Sequence, residues 1–121
     1  MSAVTVRLDT GSSVTVPEPG WCEGVHAEGE ALADLFHEGP EIGLQVETRL
    51  GSVEILTASL VEYPHAADLF RRSPAVSVLL ADGFHEMGPG ELRALATGLM
   101  LHADRLRGMA LELTRLRGGV R

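Results

Sequence analysis

Lysine and asparagine are absent from this chain of 121 residues; all ten basic side chains are arginine, and isoleucine occurs only at Ile42 and Ile55. Such absences follow codon GC content before they follow function, so arginine was not necessarily chosen here for its bidentate chemistry. Aromatic residues make up 4%, which leaves Leu, Val and Ala to build the core. The single cysteine, Cys22, excludes an intrachain disulfide and fits a reducing compartment. No apolar run approaches the roughly 18–20 residues needed to span a bilayer. The N-terminal segment has no basic stretch leading into an apolar one, as a secretory signal would. The expectation is a cytoplasmic protein that touches no membrane.

What is present describes one folded domain over residues 1–121. Hydrophobic residues account for 45% and mean hydropathy is +0.11, too apolar for wholesale disorder. The net charge of −7 is unevenly spread. Residues 1–70 hold twelve acids against two arginines, and residues 71–121 hold eight arginines against five acids. An acidic chain is repelled by polyanions, so nucleic acid is not an expected partner. The arginines at the C-terminal end (Arg105, Arg107, Arg115, Arg117, Arg121) are better read as complementing the negative end of a helix dipole.

Alternation marks the strands. Val4, Val6 and Leu8 alternate with polar residues, Gly11-Ser12-Ser13 reads as a turn, and Val14–Val16 returns, until Pro17 and Pro19 end the pairing. Leu44, Val46, Thr48 and Leu50 form the next alternating run, Gly51-Ser52 turns it, and Val53–Leu60 follows. Pro64 opens a short helix over 64–72. Ala75–Ala81 is a further strand, with Asp82-Gly83 as a hairpin signal before Phe84–Met87. Between Gly20 and Pro40 the pattern is irregular, with residues 30–36 readable as a strand or a short helix, the strand preferred.

Gly88-Pro89-Gly90-Glu91 then starts a long helix over 89–117, closed by Gly118-Gly119. Leu92, Leu95, Leu99, His102, Leu106, Met109, Leu113 and Leu116 are spaced alternately three and four apart, an unbroken heptad seam. Ala96, Ala103 and Ala110 flank it and widen the apolar stripe. The expected fold class is α+β: an antiparallel sheet of five or six strands within 1–87, packed against this helix. A stripe so wide and long predicts a homodimer whose interface holds Leu99, His102, Leu106, Met109, Leu113 and Leu116.

Candidate chemistry centres on Trp21-Cys22-x-x-x-His26, with His37 eleven residues on. A thiolate and two imidazoles are donors zinc prefers, and a structural zinc takes four. Cys22, His26 and His37 are therefore the candidate metal ligands, with the fourth open among His65, His85 and an acid such as Glu18. Cys22 as a nucleophile with His26 or His85 as base lacks any oxyanion-hole segment, and the Gly-rich pieces match no phosphate loop. No other cofactor is implied.

Pro17-Glu-Pro-Gly-Trp-Cys22, His26, Phe36-His-Glu-Gly-Pro40 and a Gly-Pro-Gly-Glu-Leu start to a Leu/Ala/Arg-rich final helix together resemble small uncharacterised proteins of streptomycetes and related actinobacteria. Many of those relatives carry Cys-Pro-x-Trp-Cys at this segment, where the present chain has Glu18 in place of the first cysteine. The resemblance implies a fold and a source, and no activity. On the residues alone, the expected role is a non-catalytic interaction or accessory regulatory module with a protein partner. It would self-associate through its helix and present Trp21 and Phe36 as a recognition surface. A zinc-binding module is the alternative, and a small-ligand pocket lined by His85 and His102 a further one.

Overall fold

A computed structural model describes residues 2–118; Gly119 and Arg121, read above as part of the helix stop and the basic tip, lie outside the described residues. The described residues form an α+β fold with seven antiparallel strands and one long helix, and the chain divides into two compact units, 1–88 and 89–121.

In the first unit the strands fall into two sheets rather than one. Strands β1 (Ser2–Arg7) and β2 (Ser13–Glu18) form a ribbon of their own, with Val4 opposite Val16 and Val6 opposite Val14. Gly11, at φ +88°, takes the left-handed turn conformation that glycine adopts without steric cost. Val6 and Val16 lie on one ribbon face and bury against Leu35, which seals a small core flanked by Val4 and Val14. Pro17 sits within β2 at a position facing Ala3, so pairing runs one residue past it to Glu18.

Leu35 reaches that core from a loop tied back to the ribbon. Asp9 N–H donates to the Glu30 carbonyl at 2.9 Å and Gly29 N–H to the Arg7 carbonyl at 2.9 Å. Residues 30–36 are not the strand preferred from sequence. Only Glu30 makes an isolated bridge, to Leu8, and Leu32–Asp34 is a single 3₁₀ turn. Backbone groups here are satisfied locally and by the ribbon, so no full ladder is needed.

The second sheet is five-stranded and built on β5 (Gly51–Glu62), which is long enough to pair two strands along one edge. β4 (Ile42–Thr48) pairs its first part, and β3 (His37–Glu38) pairs Val61 and Glu62. β6 (Ala75–Leu80) lies on the other edge and β7 (Gly83–Met87) beyond it. Both two-residue turns fall earlier than the Gly signals suggested: Thr48 pairs Gly51 and Leu80 pairs Gly83, so each glycine already belongs to the returning strand. The helix expected over 64–72 is reduced to a 3₁₀ turn at Leu69–Arg72, capped by the Asp68 carboxylate accepting from Phe70 N–H at 3.0 Å. Pro64 starts no helix; Tyr63 N–H donates to the Arg71 carbonyl at 2.8 Å, which closes the segment as a loop.

The second unit is the helix α1 (Pro89–Leu116), about 42 Å long at 1.5 Å per residue. Pro89 is its first residue, and Gly118 at φ +86° terminates it, with Gly118 N–H donating to the Arg115 carbonyl at 3.1 Å. None of its described residues is buried within the single chain.

Candidate metal centre

Three pieces of local structure converge at the junction of the ribbon and the second sheet. Glu18 is the last residue of β2. The chain then turns at Pro19–Cys22, where Cys22 N–H donates to the Pro19 carbonyl at 3.0 Å, and the turn returns Cys22 toward the strand end. His26 follows after another short loop, and His37 opens β3, paired with Glu62. Glu18, Cys22, His26 and His37 thus each present one donor atom, and all four lie within 4.8 Å of one another.

The separations suit one small cation. Glu18 Oε1 is 2.8 Å from His26 Nε2 and 3.0 Å from His37 Nδ1, and Cys22 Sγ is 3.9 Å from His26 Nε2. A zinc ion with bonds of about 2.0–2.3 Å spreads tetrahedral ligands about 3.3–3.6 Å apart, the middle of this range. The donors are largely shielded from water: the side chains of His37, His26 and Glu18 are 2%, 5% and 12% exposed, and Cys22 is half-buried.

The hydrogen-bond geometry is compatible with such an ion. The Phe36 carbonyl lies 3.0 Å from His26 Nδ1 and can only accept, so Nδ1 carries a proton. In neutral His26 the other nitrogen, Nε2, is then an acceptor, yet it faces a carboxylate oxygen at 2.8 Å. Two acceptors at that distance need a hydrogen or a cation between them: a proton on Nε2, a proton on the Glu18 carboxyl, or a metal ion shared by both. A ligating imidazole whose other ring N–H donates to a backbone carbonyl is the usual arrangement at a zinc site.

The rest of the surround holds the donors still. Gly24 N–H donates to Cys22 Sγ at 3.3 Å, which favours the thiolate. Trp21 meets His37 edge-on with ring centroids 6.4 Å apart, and His26 meets His37 likewise at 5.3 Å. Gly39 lies under the Trp21 backbone, where a Cβ would stand 3.1 Å from the Trp21 carbonyl oxygen. Phe36 stacks on Tyr63 at 5.1 Å, the Arg71 guanidinium covers Tyr63 at 3.8 Å, and Arg71 makes a bidentate pair with Glu86 at 2.8 and 2.9 Å. That stack anchors the carbonyl that orients His26.

Burial alone would raise the Glu18 carboxyl, but hydrogen bonds from Cys22, His26 and His37, together with His26 charge, overcome it and hold the group below its ordinary range. Burial, reinforced by Glu18, pushes the Cys22 thiol up. A divalent cation held by these four donors would reverse that pressure and favour the thiolate.

Cys22, His26 and His37 are brought together as the sequence suggested, and Glu18 supplies the fourth donor. His65 and His85 do not join them. His65 lines a neighbouring cleft of about 430 Å³ beside Pro19 and His37, and His85 is 2.6 Å from Asp82 at the β6–β7 turn. The signal for Glu18 was its place: the end of a strand, one tight turn before Cys22. Trp21 and Phe36 are half-buried and engaged in the ring contacts above. His102 is exposed on α1.

A family model covers residues 3–115. The chain belongs to the family described as a domain of unknown function, DUF6907. No curated protein and no solved structure matches it. Among the described residues of this DUF6907 chain, no helix is long and apolar enough to cross a membrane.

Proposed function

We propose that this DUF6907 domain is a non-catalytic, zinc-stapled module in which Glu18, Cys22, His26 and His37 hold one structural zinc ion. The observation that carries the reading is the convergence of four donors of the right kinds within 4.8 Å, largely shielded from solvent. One thiolate, two imidazoles and one carboxylate supply the mixed S/N/O set that zinc accepts, and four protein donors complete a tetrahedron. A closed site leaves no position for substrate, which is why the role is structural. The ion would join the ribbon, through Glu18, to the second sheet, through His37, at a place where few apolar side chains are available.

The interaction role stays attached to this reading as its purpose: a small domain fastened by zinc offers a rigid surface to a protein partner. Trp21 and Phe36 are half-buried and hold the metal surround, and their remaining exposed edges are the surface offered to that partner.

The test is elemental analysis of protein purified without added metal, followed by calorimetric titration of the chelated form. The expected result is one zinc per chain, a melting temperature that falls by about 10 °C or more on chelation, and recovery on adding zinc; this follows from binding energy being folding energy at such sites. Zinc below about 0.1 per chain, with no calorimetric uptake after chelation, overturns the proposal.

A further inference from the structure

The exposed seam of α1 carries more than apolarity, and what it carries does not depend on the zinc reading. Leu99, Leu106, Leu113 and Leu116 are 39%, 53%, 53% and 68% exposed, and Met109 is 68% exposed. In heptad terms Leu99, Leu106 and Leu113 occupy a, while His102, Met109 and Leu116 occupy d. Ala103 and Ala110 then fall at e, and Arg105 and Glu112 at g.

We infer that a second copy of this chain covers the seam, with the two helices antiparallel. In an antiparallel pair each a side chain meets a d side chain of the other helix. Pairing Leu106 with Met109 of the second copy sets the whole register. Leu99 then meets Leu116, and Leu113 meets His102, over 18 residues or about 27 Å. That same register places g beside g, so Arg105 of each copy faces Glu112 of the other, twice by symmetry. On the opposite flank e meets e, and Ala103 beside Ala110 lets the backbones approach closely.

A parallel pair uses the residues worse. It sets His102 against His102 in the seam and leaves Arg105 facing Ala110, keeping only Glu112 near Arg117. Arg105 has no ion-pair partner within the described residues, whereas Arg107 and Arg115 pair within the helix with Asp104 and Glu112. Charge complementarity and the small e residues therefore select the antiparallel arrangement.

The test is sedimentation of the full chain over about 10–200 μM, with Arg105→Glu, Glu112→Arg and their equimolar mixture. The wild-type chain is expected to dimerise. Each single variant turns two attractive contacts repulsive and should weaken the dimer about tenfold. Mixing the two single variants restores both contacts in the antiparallel register alone. There the carboxylate introduced in one chain meets the guanidinium introduced in the other, and the native Arg105–Glu112 pair forms on the second side. Recovery of affinity to within about threefold of wild type supports the inference. A wild-type chain that stays monomeric at about 200 μM, or a mixture no tighter than the single variants, overturns it; far-UV circular dichroism on each sample reports that the helix itself persists.

Discussion

At the scale of single residues, the candidate centre behaves as a unit whose members differ in what they contribute. Cys22→Ser, His26→Asn or His37→Asn removes a donor from a closed set, and each is expected to lower zinc affinity by more than about a hundredfold, beyond the cost of losing a partner behind a ligand, in a competition titration with a chromogenic chelator. Glu18→Gln keeps the shape and deletes the charge, and should cost affinity in the same direction. Protons compete with metal for imidazole and thiolate, so acidification from about pH 7 to about pH 5 should release the ion. For the metal-free protein the sign at Glu18 is the same. Its carboxyl is held below the ordinary range, so its contribution persists above that range and is lost as pH falls through the lowered value. Gly39→Ala presses a methyl to 3.1 Å from the Trp21 carbonyl and should destabilise the fold by about 1–2 kcal/mol in urea unfolding. Three of the four donors were legible as a Cys-x-x-x-His with a later His. The fourth was one of several candidates, because only a turn at 19–22 makes Glu18 a neighbour of Cys22.

At the scale of elements, alternation located the strands and could not say where they bend. β5 gains one residue against β4 between Ile55 and Ala58, and Leu56 takes φ +55° at that bulge. A left-handed conformation costs a non-glycine residue about 1–2 kcal/mol, more when the side chain is β-branched. Leu56→Val should therefore destabilise by about 1–2 kcal/mol, whereas Leu56→Gly should stay within about 0.5 kcal/mol, both read from urea midpoints. Beyond the bulge β5 meets β4 once more, Ala58 opposite Ile42, and from Ala58 onward it pairs β6 and then β3. The short helix expected at 64–72 and the strand expected at 30–36 each collapsed to a 3₁₀ turn. In both, long-range backbone hydrogen bonds, Tyr63 to Arg71 and Asp9 to Glu30, outweigh local preference. The long helix was read to within a residue, because Pro at its start and Gly past its end act locally.

At the scale of the molecule, the described fold has a sparse core: the buried apolar residues of the first unit are seven, mostly Val and Ala. A unit so thinly filled is where a metal staple has most effect on stability. Both sheets and all four donors lie within residues 1–88. A chain ending at Gly88 is therefore expected to retain one zinc and its β-rich circular dichroism; failure to take up the ion in that form would show that α1 is needed to assemble the donors.

Residue order alone determined the α+β class, the positions of six of the seven described strands, the long helix with its heptad seam and the thiol–imidazole motif, because periodicity, end signals and donor chemistry are local properties of a chain. Only tertiary structure decided that the first hairpin stands apart as a ribbon, that β5 carries two strands on one edge, and that Glu18 completes the donor set. Each of those outcomes depends on which distant backbone groups satisfy one another, and contacts between residues far apart along the chain leave no repeat for a sequence pattern to reveal.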